Sequence, residues 1–402
     1  MKKLLTLPAL CFSLCLLHAQ GTWIQKQSFI TGRIAAATFD INGKGYLVGG
    51  LISTGALNDT WEYSGNAWTQ KANFPGGQRG AMYSFSSGGK GYCGLGGDGI
   101  STAYHNFYEF DPAANTWTQK ANFPGATVYA SSYMTYNGKG YFSNGLDSGQ
   151  TSALNETYEY DPVANAWTSK ASFPGTVRFA TCSFSIGTKG YSCCGFTGAS
   201  ALNEFWEYDM VNNAWTQKAN YPGAARMGGV GFTIGLNGYY GLGLDLNNFT
   251  ELNDLYRYNQ ASNTWMPMTS LNDTGNVFRS AFVLNGKAYA VGGETANGSY
   301  VNTVWEFDPP ASSGIEDDRA GNFSLQVFPN PLTSSSILTL NGEMLPKEME
   351  LLMYDASGKL VRKEKMRTGN FILDKGSLGP GVYFIRVEAG SRCIAATKLL
   401  VQ

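Results

Sequence analysis

The stretch NAWTQKANFPG at residues 66–76 returns as NTWTQKANFPG at 115–125, NAWTSKASFPG at 165–175 and NAWTQKANYPG at 213–223. In each copy an asparagine closes a turn, and Trp68, Trp117, Trp167 or Trp215 anchors a short strand, with a lysine such as Lys71 expected to stay solvated beside it. Pro75-Gly76 and its counterparts then lead the chain onward. Near-verbatim copies at a spacing of about fifty residues indicate a repeat architecture in which each unit solves the same packing problem. The phrase reads as scaffold.

Working outward from it gives six copies of one larger pattern. Each begins with an alternating apolar run such as RIAAATFDI, turns at a phrase like NGKG, and reaches a tyrosine: Tyr46, Tyr92, Tyr141, Tyr191, Tyr239 or Tyr289. A glycine stands four residues later (Gly50, Gly96, Gly145, Gly195, Gly243, Gly293), where backbones approach closely or φ turns positive. A polar loop follows, then an aromatic–charged–aromatic strand such as WEY at Trp61 or YEF at Tyr108, whose period of two puts its rings on one face. A turn such as DPAAN leads to the tryptophan strand. Four short strands per unit make a small twisted sheet that cannot bury both faces alone, and radial stacking solves that problem. The sixth unit ends at WEFDPP without a tryptophan strand, while an orphan GTWIQK around Trp23 precedes the first. The N-terminal strand is therefore expected to complete the last unit and close a ring, hiding edges that an open array would expose.

Tyrosine followed by Gly-Gly (Gly49-Gly50, Gly292-Gly293), an aromatic with Asp-Pro (Asp111-Pro112, Asp161-Pro162), then tryptophan resembles the kelch repeat over residues 21 to 308. The resemblance implies a six-bladed β-propeller. The paired glycines give way to Asn144-Gly145 and Cys194-Gly195, and two units read GLG, departures that touch local geometry and leave the architecture standing.

Composition agrees with an all-β chain: 402 residues with 50 Gly, 23 Tyr, 23 Phe and 9 Trp, and only 15% charged. Residues 1–19 carry Lys2 and Lys3, an apolar run and a small residue at Ala19, the layout of a signal peptide. Its removal would reduce the 29 basic residues to 27 against 30 acidic ones, so nothing basic enough for nucleic acid is expected. No later stretch is long and apolar enough to span a bilayer. Leu10 and Leu14 before Cys11 and Cys15 speak against a lipid anchor. Cys93, Cys182, Cys193, Cys194 and Cys393 remain, an odd, scattered set better read as buried thiols than as a disulfide framework, although a diagonal Cys182–Cys193 bridge is conceivable.

A linker-like stretch, PPASSGIEDDRAG, occupies residues 309–321. Residues 322–402 then alternate strands with Gly-rich turns, the pattern of a small immunoglobulin-like β-sandwich. The order Pro329-Asn330-Pro331, Tyr354-Asp355 with Gly358, Leu378, Gly381-Val382-Tyr383 and Lys398 resembles the C-terminal sorting domain of the type IX secretion system of Bacteroidota. That resemblance implies passage across the outer membrane, with the type IX machinery as partner and a secreted or cell-surface destination. The competing reading is a carbohydrate-binding or adhesive sandwich that stays attached.

Little in the propeller suggests catalysis. His105 is the only histidine left after residue 19, which excludes a multi-histidine metal site and the copper centre of galactose oxidase, a kelch-type enzyme. No cofactor is expected. His105 stands where other units have Asn58, Asn155 or Asn203, so a strand-end role is expected of it. Arg33, Arg79, Arg178 and Arg226 recur 13 residues before the marker tyrosine, where the third and sixth units have Val128 and Asn276, the latter with Arg279 nearby. In a propeller these arginines gather on one face near the axis, either as a carboxylate-binding ring or by satisfying carbonyls between neighbouring blades. Asp245 and Glu294, each just after a marker glycine, are candidate acids on that face. The expectation is a monomeric binding module for a surface glycan or a protein; the alternative is an enzyme resembling sialate mutarotase, acting on a sugar acid with these acids and arginines.

Overall fold

The computed structural model describes residues 20–129, 132–310, 324–341, 346, 348–389 and 392–402. The expected signal peptide and most of the expected linker lie outside the described residues. No described helix is long and apolar enough to cross a membrane.

Residues 22–308 form six antiparallel sheets arranged as blades, with a separate two-stranded ribbon of Leu244–Asp245 and Thr250–Glu251, and in every blade but the sixth the strands run in sequence order from the axis outward. Blade 1 runs Ala37–Ile41, Lys44–Ile52, Gly55–Ser64, Ala67–Lys71. Blade 6 has Ser280–Leu284, Lys287–Val291 and Val304–Asp308, and its outermost strand is Thr22–Gln25, with Trp23 opposite Phe307. The expected clasp is present.

The repeated phrase joins neighbouring blades. Asn115, Asn165, Asn213 and Asn263 sit at positive φ in the turn, where asparagine is tolerated. The Oδ1 of each accepts a hydrogen bond from the backbone N–H of Ala72, Ala121, Ala171 or Ala219 in the preceding blade. The indole Nε1 of Trp117, Trp167, Trp215 and Trp265 donates to the carbonyl of that same alanine. Both polar groups of one backbone unit are thus held by two side chains of the next blade. Trp23 of the clasp makes the matching bond to Thr269 O at 2.9 Å. Phe74, fully buried, projects the other way, edge-on to Tyr108 and Trp117 of the following blade.

The phrase's lysine is not solvated, contrary to expectation. Lys71 Nζ lies 3.3 Å from Glu62 Oε2, and Lys120, Lys170, Lys218 and Lys26 repeat the contact with Glu109, Glu159, Glu207 and Glu306. The marker tyrosine completes the group: Tyr46, Tyr92, Tyr191 and Tyr289 donate their hydroxyls to the same glutamates at 2.6–2.9 Å. This is why the aromatic strand keeps a central acid. Burial alone would raise the carboxyls of Glu62, Glu159 and Glu306, and the lysine and tyrosine donors hold them below the usual value instead.

Marker glycines solve a close approach. Gly50, Gly145, Gly195, Gly243 and Gly293 donate their N–H to the carbonyl of residue 79, 178, 226, 276 or 33 in the next blade at 2.9–3.0 Å. Their φ values run from +96 to +120, and a Cβ at Gly293 would stand 1.9 Å from Gly275 O.

Cys182 stands directly across from Cys193, not diagonally as expected, and Cys93, Cys182, Cys193 and Cys194 are free thiols. Burial pushes the thiol of Cys182 up to about 12. Residues 324–401 form a sandwich of a three-stranded and a four-stranded sheet around Leu338, Leu351, Met353, Ile385, Val387 and Leu399.

Candidate ligand-binding face

The recurrent arginines do not form an open ring. Arg33, Arg79, Arg178, Arg226 and Arg279 are at most 5% exposed, set in the blade walls. Arg33 donates to Gly49 O and, through both terminal nitrogens, to the Asp59 carboxylate at 2.6 and 2.9 Å. Arg226 does the same with Leu242 O and Asp254, and Arg178 with Cys194 O and Glu204. Arg279 is bonded to Asn276, Thr303, Asp273 and Thr274 O. Arg33, Arg79, Arg178 and Arg226 tie the end of the second strand to the start of the third, Arg279 ties Thr303 to its own loop, and for all but Arg79 a carboxylate is already supplied by the protein. Of the two expectations for Arg33, Arg178, Arg226 and Arg279, these side chains follow the one in which they satisfy carbonyls, but within a blade and not between neighbours. Arg79 differs: its blade offers the neutral Asn106, and burial draws the guanidinium down to about 10.

What opens on the axis is a collar one residue inward. The residue after each arginine position pairs across the blade with the residue after each marker glycine: Ile34 with Leu51, Gly80 with Gly97, Tyr129 with Leu146, Phe179 with Phe196, Met227 with Leu244, Val277 with Glu294. Ile34, Leu51, Tyr129, Leu146, Phe179 and Met227 line a cavity of about 330 Å³ at the axial mouth, together with Phe278, Tyr133 and the polar Thr181, Gln150 and Ser280. Glycines at 80, 97 and 99 leave its wall thin on the side of blade 2. Concave, mostly apolar sites of this size with a few polar groups are typical of binding pockets.

A belt of backbone bonds fixes the mouth. Ala35 N–H donates to Phe278 O, Ala81 to Ala35 O, Gly228 to Ala180 O and Phe278 to Gly228 O, at 2.7–3.1 Å. Ala35, Ala81, Ala180 and Phe278 adopt φ near +50 to do so. Strained backbone of this kind persists only where its surroundings over-determine it.

Residues 276–312 match the family profile of the kelch motif, and residues 326–402 match that of the secretion system C-terminal sorting domain. The chain is a β-propeller that carries a kelch motif and an export sorting domain. No curated protein matches it in sequence. The solved structure of YjhT aligns with a TM-score of 0.59 at 16% identity, over 69% of this chain and 95% of that one, a likeness of fold. The sorting domain places the protein outside the cell or on its surface, by way of the type IX secretion machinery.

In this propeller Asp245 is buried and caps its own loop, accepting hydrogen bonds from Asn247 N and Asn248 Nδ2 at 2.8 Å, which hold its carboxyl low. Glu294, half-buried in the collar, has its carboxyl raised by burial. The only structured role of His105 is at a strand end: its carbonyl accepts from Phe123 N at 2.7 Å and its ring stacks on Phe123. In the sorting domain Asn330, between Pro329 and Pro331, brackets the final strand by donating to Lys398 O and accepting from Leu400 N, both at 2.9 Å. Gly358, at φ +84, closes the Asp355 turn, and Gly381 opens the strand that carries Tyr383, whose hydroxyl reaches Gly379 O. Lys398 itself is exposed.

Apart from Glu294, the collar residues escaped the sequence reading, which followed what repeats. The usable signal was variation: just after a position that is arginine in four of the six units, the next residue is different every time, while the marker glycine stays.

Proposed function

We propose that the propeller is a non-catalytic binding module and that its ligand, a protein, seats an apolar group in the axial cavity. The observation that carries this reading is the collar, where different apolar side chains from successive blades converge on one pre-formed mouth. Two exposed apolar residues on the loops of the same face support a protein partner over a glycan: Ile100, beside the cavity-lining Gly99, and Phe249 are 78% and 71% exposed.

The test is capture from envelope and culture fluid beside a glycan array, using the unaltered protein and the double variant Phe179→Ser, Met227→Ser. A protein partner lost at least tenfold in the variant, with no glycan bound, is the expected outcome. Glycan binding that survives the double substitution overturns it. A second reading rests on Glu294, whose raised carboxyl suits proton transfer in a sugar-acid mutarotase. NMR of anomer interconversion decides that one, since a Glu294-dependent acceleration is required.

A further inference from the structure

Blade 2 departs from its neighbours at the arginine tie. Blades 1, 4 and 5 set Asp59, Glu204 and Asp254 against their arginines, whereas blade 2 has Asn106, whose Oδ1 accepts from Arg79 Nη1 at 2.7 Å and brings no charge. The Nε differs as well. Arg33, Arg178 and Arg226 donate Nε–H to the carbonyl two residues earlier, Thr31, Thr176 or Ala224. In blade 2 that residue is Gly77, at φ +99, and no bond to it forms. Arg79 is fully buried, yet its Nε and Nη2 have no partner.

Nε and Nη2 are the two donors of one guanidinium edge, and that edge fits the paired oxygens of an oxyanion. A buried guanidinium without a counter-charge is strongly unfavourable, so the site asks for one from outside. A Cβ at Gly76 would stand 2.8 Å from Nη2 and 2.5 Å from the Phe74 ring, and one at Gly77 would stand 3.8 Å from Nη2, so the two glycines add no side chain of their own between that edge and its surroundings. Tyr104 covers the guanidinium face at 3.6 Å and is itself partly exposed, with its hydroxyl against Gly77, so an anion reaches the edge from solvent by turning that ring aside.

We propose that the Nε–Nη2 edge of Arg79 is a binding site for an oxyanion group, a carboxylate, sulfate or phosphate, held between Gly76-Gly77 and the Tyr104 ring. The site lies in the wall of blade 2, apart from the axial cavity, and stands or falls independently of it.

The test is thermal unfolding of the full-length protein and of Asn106→Asp, which supplies the carboxylate that blades 1 and 5 have. Sodium acetate, sulfate and inorganic phosphate are compared with chloride at matched ionic strength. The unaltered protein should gain about 3 °C per tenfold rise in the preferred anion once its Kd is passed. Asn106→Asp should start from a higher midpoint in chloride and respond at least tenfold more weakly to that anion. The ranking of the three salts identifies the group. Equal responses in the two proteins overturn the proposal. Calorimetric titration of the unaltered protein covers a variant that fails to fold: no binding heat from any of the three anions up to about 100 mM, a weak-site bound by affinity arithmetic, overturns it too.

Discussion

At four of the six junctions on the outer rim the residues that join one blade to the next are the same, an asparagine, a tryptophan and the alanine they grip, and where the ring closes Trp23 grips Thr269 and Asn66 grips Gln27. At the axial mouth the equivalent positions carry Ile34, Gly80, Tyr129, Phe179, Met227 and Val277. Both regions solve a geometrical problem that recurs blade by blade. Only the rim solves it with recurring side chains, because there the partner is always the neighbouring backbone. The mouth's backbone belt does its joining without side chains, which frees those side chains to differ. Repetition in this chain therefore marks load borne between blades, and variation at a repeated position marks the surface that faces something else.

The sharpest way to break that comparison lies in the arginine layer between the two. Arg226→Leu strands the Asp254 carboxylate and two carbonyl partners and should cost about 3–5 kcal/mol in chemical denaturation. Arg79→Leu, removing a charge that no carboxylate balances, should cost about 1 kcal/mol or less in chloride buffer. Equal losses would show that the residue, and not its partner, decides the effect.

Next in size is the rim. Trp167 packs within about 5 Å, ring to ring, of Phe107, Phe123 and Tyr160 and bonds Ala121 O, so Trp167→Ala should cost about 3 kcal/mol. The acid layer should show itself in pH. Glu62, Glu159 and Glu306 have folded-state values below their ordinary value of 4.5, so their stabilisation is complete above that value and lost as pH falls through the depressed range. The melting midpoint should therefore drop between pH 5 and 3, and less steeply in Glu159→Gln. At the bottom of the scale, Phe179→Ser in the half-buried collar should leave stability within about 1 kcal/mol of the parent while ligand capture falls. A large loss there would make the collar scaffold after all.

The ring, its closure by the strand at Trp23 and the export domain were legible because period-two strands, glycine at fixed offsets and an orphan strand are local features with few structural solutions. The arginine layer was legible as a position and left open as a function. Whether a recurrent arginine faces a ligand or a carboxylate depends on Asp59, Glu204 and Asp254, which stand 26 to 28 residues further along and pair with it only once the blade has folded. Lys71 misled for the same reason, since Glu62 meets it across a strand pair. The collar, Glu294 apart, was illegible because the residues after the arginine positions share no residue type, only a place.

The clasp has a consequence for the order of events. Trp23 and Phe307 belong to one sheet but come from opposite ends of the propeller's chain, so the earliest segment to emerge must wait for nearly the latest before it has a partner. Until then the last blade lacks its outer strand and Glu306 lacks Lys26. Closure thus serves as a completeness check: a chain truncated anywhere before Asp308 keeps two open edges, and only a finished one presents a sealed particle to the export machinery.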